Sequence, residues 1–227
     1  MMTCRSLVVL YDSILADEGN KIYRKLIEKE IPNTKFIDTY SLTAKQVDLE
    51  IKRVFAEIKS LYGEDDIRGC VDILAMKPLS RKIDNAVPIY LNKYSDRDIE
   101  GIVSGEITIT AEGVLRELEE HFGDLWFDVA IVNQSSVLGK PLAKELIERG
   151  NVVHIYNKNI PMDRIVKEIA HIKPMAIVTA TGYDKFKIPK EVMGDSFVID
   201  LSHDTDSPKA IRRLKTMMIL KQRLRNN

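Results

Sequence analysis

The chain has 227 residues, enough for one large domain or two small ones. Its 34 basic and 34 acidic side chains cancel, so no overall field favours nucleic acid or an anionic membrane. No apolar run approaches bilayer-spanning length, and the apolar stretch at the N-terminus is too short for a convincing signal peptide. Two cysteines and four scattered histidines form no metal-ligand spacing. We therefore expect a cytoplasmic protein without a metal site.

The first half of the chain alternates apolar strands with amphipathic helices. Strands are predicted at residues 6–11, 35–38 and 69–74. Helices are predicted at residues 20–30, with Ile22, Leu26 and Ile27 facing inward, and at 43–62. The second helix opens with a capping box, in which Thr43 and Gln46 cap each other's backbone. Residues 75–110 hold prolines and glycines and look irregular, and a loop of this length is usually functional.

The second half repeats the alternation after a helix that begins at Thr110 and ends at Gly123. Strands are predicted at residues 128–132, 152–156, 176–180 and 197–201. Helices are predicted at residues 139–149, from Asp163, and from Ser207 to the end, with apolar faces that include Leu142, Leu146, Ile147, Met217 and Met218. The fold class is α/β, with an N-terminal βαβ domain and a Rossmann-like, doubly wound domain, both with parallel sheets. We place the domains at residues 1–123 and 124–206, and a basic amphipathic helix at 207–227.

The turn after the strand at residues 128–132 is the strongest candidate for a binding site. Gly139 and Pro141 open the following helix, so the turn aims backbone N–H groups and the positive helix end at one point. Such a point suits a phosphate. The common dinucleotide pattern G-x-G-x-x-G is absent, because only Gly139 is a glycine, so spacing alone leaves an ordinary strand-to-helix turn equally open.

The residues of this turn, Ser135-Ser-Val-Leu-Gly-Lys-Pro141, closely resemble the S-x-x-V-G-x-P turn of the methylenetetrahydrofolate dehydrogenase/cyclohydrolase family. In that family the turn holds the pyrophosphate and ribose of NADP. The resemblance implies that the cofactor contacts Gln134, Ser135, Ser136, Val137 and Gly139.

Two further stretches carry the resemblance through the second half. Thr181 and Gly182 resemble the family's A-x-G turn beside the nicotinamide. Asn157 and Lys158 follow the next strand, where an NAD site usually has an acid about 20 residues past the turn. A basic residue there suits a 2′-phosphate and favours NADP, although Lys158 can equally be an ordinary surface lysine.

The first half shows the same family order. Residues 97–101 match K-D-V-D-G, with Glu100 where the family has the aspartate that grips the pterin. Residues 66–69 and 110–113 also match family motifs, and Lys77-Pro78 is similar to part of its Q-L-P-L-P stretch. The resemblance therefore implies a folate-like substrate.

Several departures fall on the chemistry. Gly19 and Tyr23 stand where the family has a tyrosine and its proton-transferring lysine, and Met76 stands at its glutamine. Lys25 and Lys77 are the candidate replacement cations. Tyr183 follows the A-x-G turn in place of Pro-Gly, and the family's T-P-V-P-G-G-V-G-P-M-T segment is missing after the last strand.

The leading hypothesis is an NADP-dependent oxidoreductase that transfers a hydride from a folate-bound one-carbon unit. Cyclohydrolase activity is less favoured because it depends most on the missing lysine. The alternative is a non-catalytic nucleotide-binding or regulatory homologue. The resemblance also implies a homodimer, and the basic face of the last helix is expected to be solvated rather than bound to nucleic acid.

Overall fold

A computed structural model describes residues 6–16, 18–62, 71–92 and 97–226. The chain divides into two compact units, which we call unit 1 (residues 1–106 and 217–227) and unit 2 (residues 107–216). Parallel strands alternate with helices in both, so the predicted α/β class is confirmed.

The division between the units lies at residues 106 and 107 rather than at 123 and 124. The helix at Ile109–Phe122 falls in unit 2 because Ala111, Val114 and Leu118 pack into the core around strand residue Val129. Its apolar face therefore determines the unit to which it belongs.

Unit 1 is built on a three-stranded parallel sheet. Its elements are β1 (Ser6–Tyr11), α1 (Glu18–Glu30), β2 (Thr34–Asp38), α2 (Ala44–Tyr62), β3 (Val71–Ala75), α3 (Arg81–Asn92) and the C-terminal α8 (Thr216–Asn226). The strand order is β2-β1-β3. Every residue of β1 is buried, as expected for a central strand covered on both faces.

The capping box of α2 forms as predicted. Thr43 donates its backbone N–H to Gln46 Oε1 over 2.8 Å, and Gln46 N–H donates to Thr43 Oγ1 over 3.4 Å. The predicted inner face of α1 is partly wrong. Ile27 is fully buried, but Ile22 is 57% exposed and Leu26 is 37% exposed.

The prediction that residues 75–110 are irregular is wrong, because α3 lies within them and contains Pro88. Ile83, Val87 and Leu91 recur every four residues along α3 and are fully buried. Burying each of these side chains is worth about 1.5–3 kcal/mol, so the three together outweigh the roughly 3 kcal/mol that an interior proline costs a helix. The helix therefore tolerates its proline.

Unit 2 is built on a four-stranded parallel sheet with helices on both faces. Its elements are α4 (Ile109–Phe122), β4 (Asp128–Val132), α5 (Gly139–Glu148), β5 (Val152–Tyr156), α6 (Met162–Ile172), β6 (Ala176–Thr179), α7 (Lys190–Met193) and β7 (Phe197–Asp200). The strand order is β5-β4-β6-β7. Val129 and Ile131 pack with α4 and α5, whereas Ala130 and Val132 pack with α6.

The predicted helix from Ser207 is wrong over residues 207–215. Ile211 forms a parallel bridge with Ile199, donating its N–H to Val198 O over 2.9 Å and accepting from Asp200 N–H over 2.8 Å. The open side of β7 offers these backbone groups, and pairing satisfies them. In α8, which starts at Thr216, Ile219 and Leu220 are buried while Met218 is 42% exposed.

The predicted core position Ile147 is also wrong, because its side chain is 60% exposed on α5. The predicted positions Leu142 and Leu146 of the same helix are buried. Among the described residues, no helix combines the length and the apolar character that a bilayer crossing needs.

Candidate cofactor and substrate sites

The four strands of unit 2 end at one edge of the sheet. Val132, the last residue of β4, aligns with Tyr156 of β5 on one side and Thr179 of β6 on the other. Thr179 in turn aligns with Asp200 of β7. The loops that follow these four residues are therefore neighbours, as at the ligand edge of doubly wound sheets.

Asn133, the first residue after β4, organises the turn. Its Oδ1 accepts hydrogen bonds from the N–H of Ser135 (2.8 Å) and of Gly139 (3.1 Å). Its Nδ2 donates to Ala180 O over 2.7 Å. One side chain thus closes the turn from inside and joins it to the end of β6. Sequence reasoning missed this role, although an asparagine two residues before a turn amide is a known local signal.

Residue 139 must be a glycine because the backbone of Asn133 approaches it closely. A Cβ atom built on it would lie 1.8 Å from the carbonyl oxygen of Asn133 and 2.5 Å from its carbonyl carbon. Both atoms belong to the backbone, so no side-chain rotation relieves the overlap. The turn can fold back on the start of α5 only if residue 139 has no side chain.

The turn retains groups that fit a diphosphate. Within the described part of the chain, the N–H groups of Gln134 and Val137 donate no hydrogen bond. The Gln134 and Ser136 side chains are exposed, and Ser135 is half-buried. The ten-residue α5 adds the positive end of its dipole. Two amides, those of Ser135 and Gly139, are satisfied by Asn133 and are not available to a ligand.

The loop after β5 brings a cation to the same edge. Asn157 forms a tight turn in which its Oδ1 accepts from Asn159 N–H over 2.8 Å. Lys158 is exposed, and no carboxylate occurs between Tyr156 and Ile160. The arrangement fits a 2′-phosphate, because an exposed ammonium can approach it without competition from an adjacent acid.

A buried carboxylate fixes the turn after β6. Asp204 accepts hydrogen bonds from Thr179 Oγ1 (2.5 Å), Thr181 N–H (3.0 Å) and Thr181 Oγ1 (2.7 Å). Gly182, with φ of 61°, donates its N–H to Ser202 Oγ over 3.1 Å. The Thr181–Gly182 turn is therefore held on two sides.

Asp200 supports Asp204 in turn. It is fully buried and accepts from Asp204 N–H over 2.8 Å and from Thr205 N–H over 2.9 Å. Arg212 Nη2 lies 3.7 Å from its Oδ2. The sequence suggested Asp200 only as part of a strand, and nothing local in the sequence pointed to Asp204.

The described residues of unit 1 place two candidate catalytic residues at the carboxyl end of β3. Lys77 follows β3 after the buried Met76, is half-buried, and its Nζ lies 2.8 Å from Asp84 Oδ1. Glu100 is 7% exposed. The segment that carries it runs alongside β3, since Asp98 bridges to Ile73 in parallel.

The other predicted residues of unit 1 are less well placed. Lys25 is exposed on α1, about 200° around the helix from the buried Ile27. The family-like residues 66–69 lie outside the described part of the chain.

Asp38, at the end of β2, is ionised more readily than usual. Burial alone would raise the pKa of its carboxyl, but hydrogen bonds from Ser13 and Tyr40 and the charge of Arg24 outweigh it and lower the pKa. The Arg24 guanidinium itself lies 4.3 Å from the centre of the Tyr11 ring. Arg24 and Asp38 thus place a cation and an anion near the carboxyl ends of β1 and β2.

No cluster of three metal-ligating side chains occurs in the described ranges 6–16, 18–62, 71–92 and 97–226. A cavity of about 440 Å³ lies beside Trp126 and Arg149. It faces the opposite edge of the sheet from the Asn133 turn, because Trp126 precedes the amino end of β4.

Two FolD proteins are similar in sequence to this chain. The chain is 32% identical over 162 residues to the bifunctional protein FolD of Clostridium botulinum (strain Langeland, type F), covering 66% of this chain and 55% of the relative. FolD of Thermoplasma volcanium is 26% identical over 192 residues, covering 80% of this chain and 66% of the relative. This chain thus spans little more than half the length of the Clostridium protein. No model of a protein family matches it.

Solved structures share the fold. The bifunctional 5,10-methylenetetrahydrofolate dehydrogenase/cyclohydrolase of Thermoplasma acidophilum has a TM-score of 0.63 at 18% identity, covering 98% of this chain and 90% of that one. The Trypanosoma brucei enzyme, solved with NADP cofactor and an inhibitor, has a TM-score of 0.68 at 16% identity, covering 96% and 84%. At these identities the likeness establishes the fold alone.

Proposed function

Because this chain is a divergent FolD-like member of the methylenetetrahydrofolate dehydrogenase/cyclohydrolase family, we propose that it is an NADP-dependent oxidoreductase acting on a folate-bound one-carbon unit. The observation that carries the proposal is the Asn133–Gly139 turn, whose unused N–H groups fit a diphosphate beside a cation that fits a 2′-phosphate. Bound there, NADP would accept a hydride from the substrate.

The residues of unit 2 would bind and orient the cofactor. Gln134 and Val137 would donate N–H groups to the diphosphate, and the Ser135 and Ser136 hydroxyls would contact phosphate or ribose. Gly139 permits the close approach of the turn to α5. Asn157 and Lys158 would bind the adenosine end. Thr181 and Gly182, held by Asp204 and Ser202, would lie beside the nicotinamide.

The residues of unit 1 would handle the substrate. Glu100 would accept hydrogen bonds from the pterin edge, the role that the family gives to an aspartate. Lys77 is the better candidate for the proton-handling cation, because it is half-buried at the end of β3 while Lys25 is exposed. The ion pair with Asp84 would orient the Lys77 ammonium.

A rival function is supported by three residues. Gly19, Tyr23 and Met76 cannot provide the family's tyrosine, lysine and glutamine chemistry, and losing one positioned proton-transfer group typically costs about 10²–10⁴ in rate. A non-catalytic protein that binds the nucleotide for regulation or assembly would need none of them. Cyclohydrolase activity is the weaker part of the proposal for the same reason.

Thermal shift with NADP, NAD and tetrahydrofolate, each added separately, distinguishes the two functions. A ligand at about one hundred times its Kd adds about 2.7 kcal/mol of stability, enough to raise Tm by several degrees. The enzyme predicts shifts with NADP and with tetrahydrofolate, and a smaller shift with NAD. A shift with NADP alone would favour the rival, and no shift with NADP would refute both.

We also propose a homodimer, from the family resemblance. Light scattering after size-exclusion chromatography measures the mass directly against the 25.9 kDa of one chain. A mass of one chain at micromolar concentration would contradict the dimer, and it would not bear on the proposed enzyme activity.

A further inference from the structure

The C-terminal helix α8 holds the segment that carries Glu100. Arg223, in the last turns of α8, donates from Nη1 to the carbonyl oxygen of Ile99 over 2.8 Å. The two residues are 124 positions apart in the chain. Both belong to unit 1, so this contact lies within one compact body.

The backbone of Ile99 is held by two partners. Its N–H donates to Ile73 O of β3 over 3.1 Å, and its carbonyl oxygen accepts from Arg223. Both backbone groups next to Glu100 are thus satisfied, one by the sheet and one by α8. A segment fixed on one side only could rotate about that contact.

Asp98 closes the loop on the far side of Glu100. Its Oδ2 accepts from the N–H groups of Val103 (2.6 Å) and Ser104 (3.2 Å), and its carbonyl oxygen accepts from Gly101 N–H over 3.2 Å. Asp98 is 4% exposed. Glu100 therefore lies in a loop that is closed on itself and anchored to two neighbours.

The helix that supplies Arg223 is itself firmly attached. Ile219 and Leu220 are 1% and 0% exposed, and Lys221 Nζ lies 2.5 Å from Glu30 Oε2 of α1. The Arg223 side chain is only 12% exposed, so its guanidinium is directed inward. A half-buried charged donor gives a stronger hydrogen bond than an exposed one.

We propose that α8 is a structural part of the substrate site, with Arg223 as a positioning residue that holds Ile99 and thereby aims Glu100 at a folate-like ring. This inference rests on the proposed function for the identity of the ligand. The support that Arg223 gives to Ile99, which we call the brace, rests only on contacts within unit 1. Without Arg223, the Glu100 loop keeps its hydrogen bond to β3 but loses the one to α8.

The test compares Arg223→Ala and Arg223→Lys with two matched controls. Arg225→Ala removes an exposed arginine from the same last turn, and Glu106→Gln removes the ion-pair partner that lies 3.7 Å from Arg223 Nη1. Three quantities are measured for each variant: the Kd for tetrahydrofolate, the Kd for NADP, and amide hydrogen exchange over residues 98–104.

If Arg223 supports Ile99 in this way, Arg223→Ala weakens tetrahydrofolate binding about tenfold or more and leaves the Kd for NADP within about twofold of the wild-type value. It also predicts faster exchange over residues 98–104. Arg223→Lys should fall between, and both controls should match the wild type. Should Arg223→Ala fail to fold, the lysine variant alone still decides, because a structural role would not separate folate from NADP affinity.

Unchanged exchange and unchanged folate affinity in the Arg223 variants would overturn the inference, and so would equal losses for folate and NADP. A wild-type chain that binds no tetrahydrofolate would refute the proposed substrate and, with it, the proposed contact between Glu100 and a folate-like ring. In that case faster exchange in Arg223→Ala would still establish the brace, whereas normal exchange would refute it as well.

Discussion

Replacing Gly139 by alanine tests the geometry of the proposed cofactor turn. The added Cβ would lie 1.8 Å from Asn133 O, where ordinary contacts are about 3.5 Å or longer. The turn must open by more than an ångström, which breaks the 3.1 Å bond between Gly139 N–H and Asn133 Oδ1. Forced overpacking costs about 1–3 kcal/mol and a lost hydrogen bond about 1 kcal/mol, so we expect a loss of about 3 kcal/mol.

The free energy of unfolding of unit 2 is measured by urea denaturation followed through Trp126, the single tryptophan, which lies in this unit. The Kd for NADP is measured on the same protein and should rise at least tenfold, because the opened turn misplaces the Gln134 and Val137 amides.

Gly150→Ala is the matched control, at the other end of the same helix. Its added Cβ meets nothing within 4 Å, but its φ of +81° is unfavourable for alanine and should cost about 1 kcal/mol. NADP affinity should stay unchanged. A Gly139→Ala protein with wild-type stability and wild-type NADP affinity would refute the assignment of this turn.

Three further changes test other parts of the account. Asp204→Asn leaves one of three hydrogen bonds unmade at the Thr181 turn, so unit 2 should lose about 1–3 kcal/mol in urea unfolding and bind NADP more weakly; unchanged values of both would contradict it. Lys158→Ser should raise the Kd for NADP about tenfold and leave that for NAD unaltered in calorimetric titration, whereas equal effects would rule out 2′-phosphate recognition. The lowered pKa of Asp38 stabilises the folded state above the unfolded pKa of about 3.9, and this effect is lost as pH falls through the lower folded pKa. Acid titration of Asp38→Asn should therefore show a stability deficit at pH 7 that shrinks as the wild-type carboxyl becomes protonated; a deficit independent of pH would disprove the linkage.

Local pattern was enough to predict the strands and most helices. The β-branched run at residues 129–132 and the capping box at Thr43 each require only their own neighbours, and both form as expected. The alternation of strands and helices along the chain also predicts the α/β class, because such elements pack most simply as parallel sheets.

The errors occur where a distant partner decides the conformation. Pro88 signals a break, yet the buried stripe of α3 keeps the helix. Ile211 looks like a helix residue and pairs with Ile199 of a sheet edge. The contacts of Asp204 and Arg223 join residues tens of positions apart, so no local spacing could have revealed them.

The most direct test of the central claim is formation of NADPH by the purified chain from NADP and 5,10-methylenetetrahydrofolate, followed by absorbance. We expect turnover that needs both substrates, that falls with Glu100→Gln and Lys77→Met, and that runs far slower with NAD. A chain that binds NADP but forms no NADPH above the rate measured without protein would contradict the enzyme and favour the non-catalytic homologue.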